Sequence, residues 1–396
     1  MRKLLLMLIL IFIIFELSSI NEFACIYTLI NTSAKGVAFG NKSGAADIWD
    51  TSPLGVWSNP AKLGYHKGLA YGYSDTPWLK NVFSDIYIKS KYVSIGWNGL
   101  GILLPISNDR DRLGTFMSYG EQTQTDSLGN VIGTFESWDA DTKFAIGMNS
   151  LEFVFNLLKS DLLNKINKFG ELSFGYSYDD LYSKLGPMGT GSFEPMEYSI
   201  GESSFSSYGF IGRISPFNET NALGGFCTLD VVGSINNINP AKSKITYINV
   251  SQADYLPWGI RTAVSGKIVI SKKLIPDFKI HPIIDFFSTN LISFYYSYDD
   301  QQIGKESPDN PGEWGKGYEI IFFDLFSLRK GYYSDITGEV KGDTSGYGFN
   351  LRFNDIIQFQ YNYAEFPGGD LQEKQSIDDY LVRVDFMKLL RLIKHH

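Results

Sequence analysis

Tyr347-Gly348-Phe349-Asn350-Leu351-Arg352-Phe353-Asn354 and, after two residues, Ile357-Gln358-Phe359-Gln360-Tyr361-Asn362-Tyr363-Ala364 are the stretches whose reading decides the fold. Successive side chains of a strand point to opposite faces. Tyr347, Phe349, Leu351 and Phe353 therefore share one face, and Gly348, Asn350, Arg352 and Asn354 the other. The second stretch sets Ile357, Phe359, Tyr361 and Tyr363 against Gln358, Gln360, Asn362 and Ala364 in the same way. About fourteen such stretches follow one another from Leu69 almost to the C-terminus. Two packed sheets would turn the greasy side inward, whereas a membrane barrel turns it outward to lipid.

The N-terminus favours the membrane. Arg2 and Lys3 precede an apolar run from Leu4 to Phe15, and a more polar stretch leads to Ala24 and Cys25. Positive, apolar and cleavage regions in that order read as a secretory signal peptide over residues 1–24. The run is short of the ~20 residues a spanning helix needs. An uncleaved anchor and a lipidated Cys25 are the weaker alternatives, the latter because Glu22 and Phe23 are poor residues ahead of a lipidated cysteine. No later apolar run is long enough to span as a helix, so any membrane crossing is by strands.

Composition agrees. Aromatics make up 15% of the chain and supply the interface girdles a barrel needs. A net charge of −8 argues against nucleic acid as a partner. Cys227 stands alone beyond the cleavage region, as a small hydrophobe in the run Leu223 to Val231, and no disulfide framework is present.

Laid out as strands, the chain reads 69–75, 91–105, 112–121, 138–149, 170–178, 205–214, 220–232, 257–271, 277–299, 316–324, 326–333, 345–353, 356–364 and 378–386. Long polar connections alternate with tight ones such as 106–111, 215–219, 272–276, 325 and 354–355. This is the outer-membrane arrangement, with an even strand number and both termini on one side. The expected fold is thus all-β: a transmembrane antiparallel β-barrel of about 14 strands over residues 68–386. The stretch 277–299 is too long for one strand, so it is either a bulged strand or a hairpin turning at Ser288-Thr289-Asn290. Residues 151–168 space Phe155, Leu158, Leu162, Leu163 and Ile166 as on one helical face. They read as an amphipathic helix, on the membrane surface or against the barrel mouth. A tail over 387–396 follows Phe386, an aromatic suited to ending the last strand, and reads as a further helix.

Ahead of the first strand, residues 33–64 are dominated by small side chains up to Trp57, after which come Asn59, Pro60 and Ala61. Proline fixes its own φ and pushes Asn59 toward extended geometry, which makes a compact turn. Ser33-Ala34-Lys35-Gly36, then Trp57-Ser58-Asn59-Pro60-Ala61-Lys62-Leu63, resembles the opening of the PorV/PorQ family and of FadL-type transporters of hydrophobic compounds. Residues 317–353, with Leu328-Arg329-Lys330-Gly331-Tyr332, are similar to that group's C-terminal pattern. The resemblance implies a fourteen-stranded bacterial outer-membrane barrel with residues 25–67 tucked into the lumen as a plug.

Catalytic chemistry is not legible. His281 and Asp285 share a strand face but are about two pleats apart, and His66 follows the plug turn. No zinc spacing, phosphate loop or dinucleotide fingerprint is present, so no cofactor and no enzyme is expected. Carboxylates at Asp299, Asp300, Glu306, Asp309 and Glu313, and at Glu365, Asp370, Glu373, Asp378 and Asp379, read as solvated loop residues. Arg261, Glu319, Arg352, Arg383 and Asp385 fall on polar strand faces, where they would neutralise one another or hold the plug.

Two functions follow from the resemblance. As in PorV and PorQ, the barrel would be an accessory to protein secretion or surface attachment, with secreted proteins as partners beside outer-membrane lipid. Alternatively it would be a FadL-like channel for hydrophobic small molecules, with Phe39, Trp49 and Trp57 as ligand contacts.

Overall fold

The structure, a computed structural model, describes residues 24–394 apart from 42–43, 79–83, 127, 159–167, 188–197, 218–225, 249–252, 275–288, 305–311, 335–339, 354 and 369–373. The strands are β1 (Gly68–Pro77), β2 (Ile86–Trp97), β3 (Leu100–Pro105), β4 (Thr115–Thr125), β5 (Val131–Asn149), β6 (Gly170–Pro187), β7 (Tyr198–Phe217) and β8 (Cys227–Ile238). They continue with β9 (Lys244–Tyr247), β10 (Ala253–Tyr255), β11 (Gly259–Ser271), β12 (Asn290–Ile303), β13 (Glu313–Phe322), β14 (Phe326–Ser334), β15 (Lys341–Phe353), β16 (Ile357–Phe366) and β17 (Gln375–Val384). All pair antiparallel with their neighbours, and β1 closes the sheet on β17. β3 and β4 share one wall position between β2 and β5, and the short β9–β10 hairpin is added beside β7. The wall therefore has fourteen positions, the number the sequence suggests.

Parity decides the environment. Phe349 and Phe359 are each 46% exposed on the outside, whereas Gln358 and Asn362, their inward neighbours on β16, are 1% exposed. The same holds round the wall: Tyr176, Phe210, Ile235, Val264, Phe294 and Leu328 face out, while Ser177, Asn236, Ser265, Ser297 and Arg329 are buried inside. Such a molecule is inside-out relative to a protein folded in water and has the section of a membrane barrel. No described helix is long and apolar enough to cross a membrane.

Several expected boundaries change. Residues 91–105 are not one strand. Asn98 (φ 49°) and Gly99 (φ 80°) both take positive φ and make a two-residue hairpin between β2 and β3. The expected tight turn at 106–111 is instead part of an excursion within one wall position: β2 pairs Tyr92 with Pro105 and Ser90 with Thr115, so residues 106–114 span a single residue of β2. Strict alternation of loop lengths also fails. Residues 126–130 make a short turn at the end where the other loops are long, while 150–169, 218–226 and 272–289 are long at the opposite end. We call the end carrying Asn98-Gly99, 323–325 and 354–356 the turn end, and the other the loop end.

A described strand starts at Asn290, and the remainder of the ambiguous 277–299 stretch up to 288 lies outside the described residues, as do His281 and Asp285. The short helix α1 (Ala34–Ala38) lies in the N-terminal segment. Helix α2 (Ser150–Leu158) covers the first part of the expected 151–168 helix; residues 159–167 are not described. Phe386 does not end a strand: β17 stops at Val384, and α3 (Phe386–Lys394) begins there, with Asp385 accepting from the Lys388 N–H at 3.1 Å.

The excursion 106–114 folds over the outer face. Phe116, Trp138 and Ala140 point outward yet are buried beneath it, with Tyr87 and Tyr182 packed alongside. The Arg112 guanidinium lies 3.6 Å from the Tyr182 ring centroid and 5.0 Å from that of Trp138. Asp109 accepts from the Tyr87 hydroxyl at 2.8 Å and meets the Lys89 ammonium at 3.1 Å.

Candidate lumenal site

The residues of interest lie inside the barrel, where the segment 24–66 is buried against inward-facing wall residues. Its placement begins with glycine. Gly68, Gly96, Gly101, Gly147, Gly175 and Gly209 are successive cross-strand partners, one per wall position from β1 to β7. Together they make a row without side chains on the inner wall. The 3₁₀ turn Pro60–Tyr65 lies along it: a Cβ on Gly101 would come 2.1 Å from the Leu63 carbonyl oxygen, and one on Gly175 2.2 Å from the Ala61 nitrogen. Only glycine admits so close an approach of two backbones.

Asn59, Pro60 and Ala61, the turn read from sequence, sit at the head of this row. Asn59 caps the turn by accepting the Ala61 N–H at 2.9 Å, and its Nδ2 donates to the carbonyls of Phe210 (3.4 Å) and Ile235 (3.3 Å). Pro60 occupies the first turn position, where no N–H is missed. Ser173 donates to the Ala61 carbonyl at 2.6 Å, and Asn236 Nδ2 to that of Ser58 at 3.0 Å.

Charge completes the attachment. Lys35 meets Asp47 at 2.7 Å and Glu319 at 3.6 Å, and Glu319 in turn takes Arg329 Nε at 2.8 Å. Burial works against the Lys35 charge, but Asp47 and Glu319 more than offset it and its pKa is raised. Lys62 donates to the carbonyls of Gly44 and Gly55, both at 3.0 Å, with Asp50 at 3.8 Å. Asp299 accepts from the N–H groups of Gly44 (3.1 Å) and Ala45 (2.9 Å), and Asp379 from Ala34 (2.8 Å). These two acids were expected in solvated loops. They are instead inward-facing residues of β12 and β17, and both already fall inside the expected strands 277–299 and 378–386, so their loop reading came from their charge and not from the strand boundaries.

The expected ligand contacts are placed unequally. Phe39 is fully buried, edge-on to Tyr295 with centroids 4.7 Å apart, and has no free face. Trp49 also meets Tyr295 edge-on, at 5.2 Å, and is half-buried beside a small cavity at the turn end. Trp57 lies under the Arg261 guanidinium at 4.2 Å and donates to the Thr28 carbonyl at 2.9 Å. It borders a small lumenal cavity with Lys143 and Phe205. His66 is buried with Nδ1 2.9 Å from Ser94 Oγ; burial, then Lys62 and Arg383, push its pKa down to about 3. No group of three or more metal-type side chains occurs among the described residues.

Sequence reading missed one set of residues. Near the loop end the lumen turns apolar, where Ile88, Met117, Leu181 and Phe205 of the wall cluster with Ile245 of the added hairpin and Leu256 just after it. Cys25 and Tyr27 fill it from the N-terminal segment. Within β2 the signal was present, since Ile88 sits on the face that carries Ser90 and Ser94 further along. Joining it to Ile245 and Leu256 required the tertiary structure.

No protein-family model and no curated protein matches the sequence. Among solved structures, the chain is similar to a FadL homologue of Pseudomonas aeruginosa, at 10% identity and TM-score 0.36, over 90% of this chain and 98% of that one. It is also similar to the toluene transporter TbuX of Ralstonia pickettii, at 11% identity and TM-score 0.36, over 90% and 100%. The CymD monoaromatic hydrocarbon channel is matched at 12% identity and TM-score 0.36, over 92% and 99%. The barrel assignment rests on this chain's own strand pairing and not on these likenesses.

Proposed function

We propose that the chain is an outer-membrane β-barrel that passes small hydrophobic molecules, with residues 25–67 as its plug and residues 1–24 as a cleaved export signal. On this reading the turn end faces the periplasm and the loop end the exterior. The observation that carries it is the apolar patch of the loop-end lumen, Ile88, Met117, Leu181, Phe205, Ile245 and Leu256, which Cys25 and Tyr27 cover in this state; smaller apolar patches such as Ile211 with Val232 and Phe366 with Ile377 pack against the N-terminal segment elsewhere. A channel for hydrophilic solutes has no use for such a lining, whereas a hydrophobic solute leaving water gains about 25 cal/mol for each Å² it buries there. Beside this region the third wall position is broken at 106–114, so the β5 backbone over 142–144 lies between the last β3 partner, Ala145, and the first β4 partner, Asp141. A break there offers a sideways exit, sealed in this state by Tyr92, whose hydroxyl is 3.1 Å from Thr115 Oγ1.

The test is uptake of toluene and of a long-chain fatty acid by cells expressing the chain, against Phe205→Arg and Ile245→Asp variants present at equal level in the membrane. Uptake that depends on the chain and falls in both variants supports the reading; uptake equal to that of cells lacking the chain refutes it. Phe39, being fully enclosed, is assigned to holding the plug, and Trp49 and Trp57 remain the proposed ligand contacts on it. The accessory role in secretion or surface attachment rests on the resemblance of residues 33–63 to PorV and PorQ. Residues 188–197, 305–311, 335–339 and 369–373, which follow the loop-end strand termini and would meet an exported protein, lie outside the described residues. Co-purification of a secreted partner from native membranes, with no chain-dependent uptake, would restore that role.

A further inference from the structure

At the turn end of the lumen a cavity of about 50 Å³ is bordered by four cations, Lys35, Lys267, Arg329 and Arg352, and three acids, Asp50, Glu319 and Asp324. The acids are already engaged. Glu319 is held by Arg329 at 2.8 Å and Lys35 at 3.6 Å, and Asp50 by Lys62 at 3.8 Å. Asp324 accepts four hydrogen bonds from Thr289 and Asn290. Two cations are left over. Arg352 has neither a hydrogen bond nor an ion pair among the described residues, and its Nε is buried. Lys267 has the Trp49 ring 5.4 Å from its ammonium and no carboxylate at ion-pair distance among the described residues. Two strands round, on the same row through Gln358, stands Arg383, whose Nε is also buried and unpaired. Asp355 and Asp385 lie within electrostatic reach of Arg383 but form no ion pair with it.

Lys267 and Arg352 are half-buried, and Glu319 acts on Lys267 only from beyond ion-pair distance; a partly buried cation with no ion-pair partner is costly, and two facing one cavity are costlier still. The cost is removed when an anion enters. Guanidinium offers a planar fork that matches an oxyanion, and lysine adds a point charge. The space is that of one or two waters, at ~30 Å³ each, which suits a carboxylate or phosphate group and not a whole organic molecule.

We propose that Lys267 and Arg352 form a binding site for a small oxyanion at the turn end of the lumen, with Arg383 adding to the local positive potential. The anion is either free in solution or the head group of an amphipathic molecule. The site does not depend on passage of hydrophobic molecules, because it is read by binding alone.

The test is calorimetric titration of the full-length chain in non-ionic detergent with octanoate, acetate and inorganic phosphate. Saturable binding is expected, weakened about 10-fold or more by Lys267→Gln and by Arg352→Gln, and largely kept in Arg352→Lys. Neither glutamine substitution removes a described hydrogen bond or ion pair, so both variants fold, as checked by heat-dependent migration on a gel. Binding of octanoate but not acetate or phosphate supports the site and assigns it to a head group. Comparable binding of acetate or phosphate supports it and assigns a free anion. No saturable binding of any of the three, or binding unchanged in both glutamine variants, overturns the proposal.

Discussion

Replacing Gly175 by valine should dislodge the Asn59-Pro60-Ala61 turn while leaving the barrel wall intact. A Cβ there would lie 2.2 Å from the Ala61 nitrogen and 2.3 Å from the Pro60 carbonyl carbon, both backbone atoms that cannot swing aside. Ordinary contact needs well over 3 Å, so the turn must lift by roughly 1 Å, which costs ~1–3 kcal/mol as overpacking. Lifting also strains the 2.6 Å bond from Ser173 to the Ala61 carbonyl, worth ~1 kcal/mol more. The attachment of the lumenal segment thus weakens by about 2–4 kcal/mol. Gly233→Ala is the matched control: its Cβ meets nothing within 4 Å, and alanine in a strand is if anything favourable. The assay is limited proteolysis of the detergent-solubilised protein, following cleavage within residues 24–66, together with the denaturation midpoint of the barrel. Gly175→Val should speed that cleavage by ten-fold or more, with Gly233→Ala indistinguishable from the parent, since 1.4 kcal/mol is a factor of ten. Equal protection of all three proteins would refute the close approach of turn and wall.

Three further outcomes are expected. His66→Gln should flatten the pH dependence of stability: the native imidazole resists protonation down to about pH 3, while the unfolded one takes a proton near 6.5. Stability from this group is complete above pH 6.5 and falls by about 1.4 kcal/mol per pH unit toward pH 3. Denaturation midpoints at pH 7, 5 and 4 should show that slope reduced in the variant. Arg112→Gln removes a cation from over Trp138 and Tyr182, and tryptophan emission should shift to the red as the outer strap loosens, by ~0.5–2 kcal/mol; an unshifted spectrum would show that the strap is held otherwise. Lys35→Met leaves Asp47 without its 2.7 Å partner inside the lumen, so the unfolding free energy should fall by ~3–5 kcal/mol, read from denaturation curves, and a smaller fall is expected in Lys35→Met with Asp47→Asn.

The strands were legible because every second residue marks one face: Phe349 and Phe359 against Gln358 and Asn362 separate a greasy side from a wet one, and the signal-like N-terminus with the alternating connections was needed to set the greasy side outward. The fourteen wall positions were legible for the same reason, although two, that of β2 and that shared by β3 and β4, were reached through the wrong boundaries. Residues 91–105 look like one continuous apolar strand, and the Asn98-Gly99 hairpin signal inside them was passed over. Strand ends were the least legible feature. A barrel's inner face is polar, so the carboxylates of Asp299 and Asp379, at the ends of their expected strands, looked solvated while serving as acceptors inside the lumen. The Asn59-Pro60-Ala61 turn could be recognised as a turn, because Asn and Pro impose local geometry. Its berth could not, because Gly101, Gly147, Gly175 and Gly209 lie far apart in sequence and align only once the strands pair. The apolar loop-end lumen escaped notice for the same reason.

The central claim is that the aromatic face of each strand meets acyl chains. It is tested most directly by nitroxide labels placed singly at Phe359 and at Gln360, neighbours on β16, in protein whose Cys25 and Cys227 are replaced by alanine and which is reconstituted in lipid vesicles. The label at Phe359 should relax strongly with oxygen, which concentrates in the bilayer, and little with a water-soluble nickel chelate, whereas the label at Gln360 should respond weakly to oxygen. Equal accessibility of Phe359 to the nickel chelate and to oxygen, or an oxygen response confined to Gln360, would contradict it.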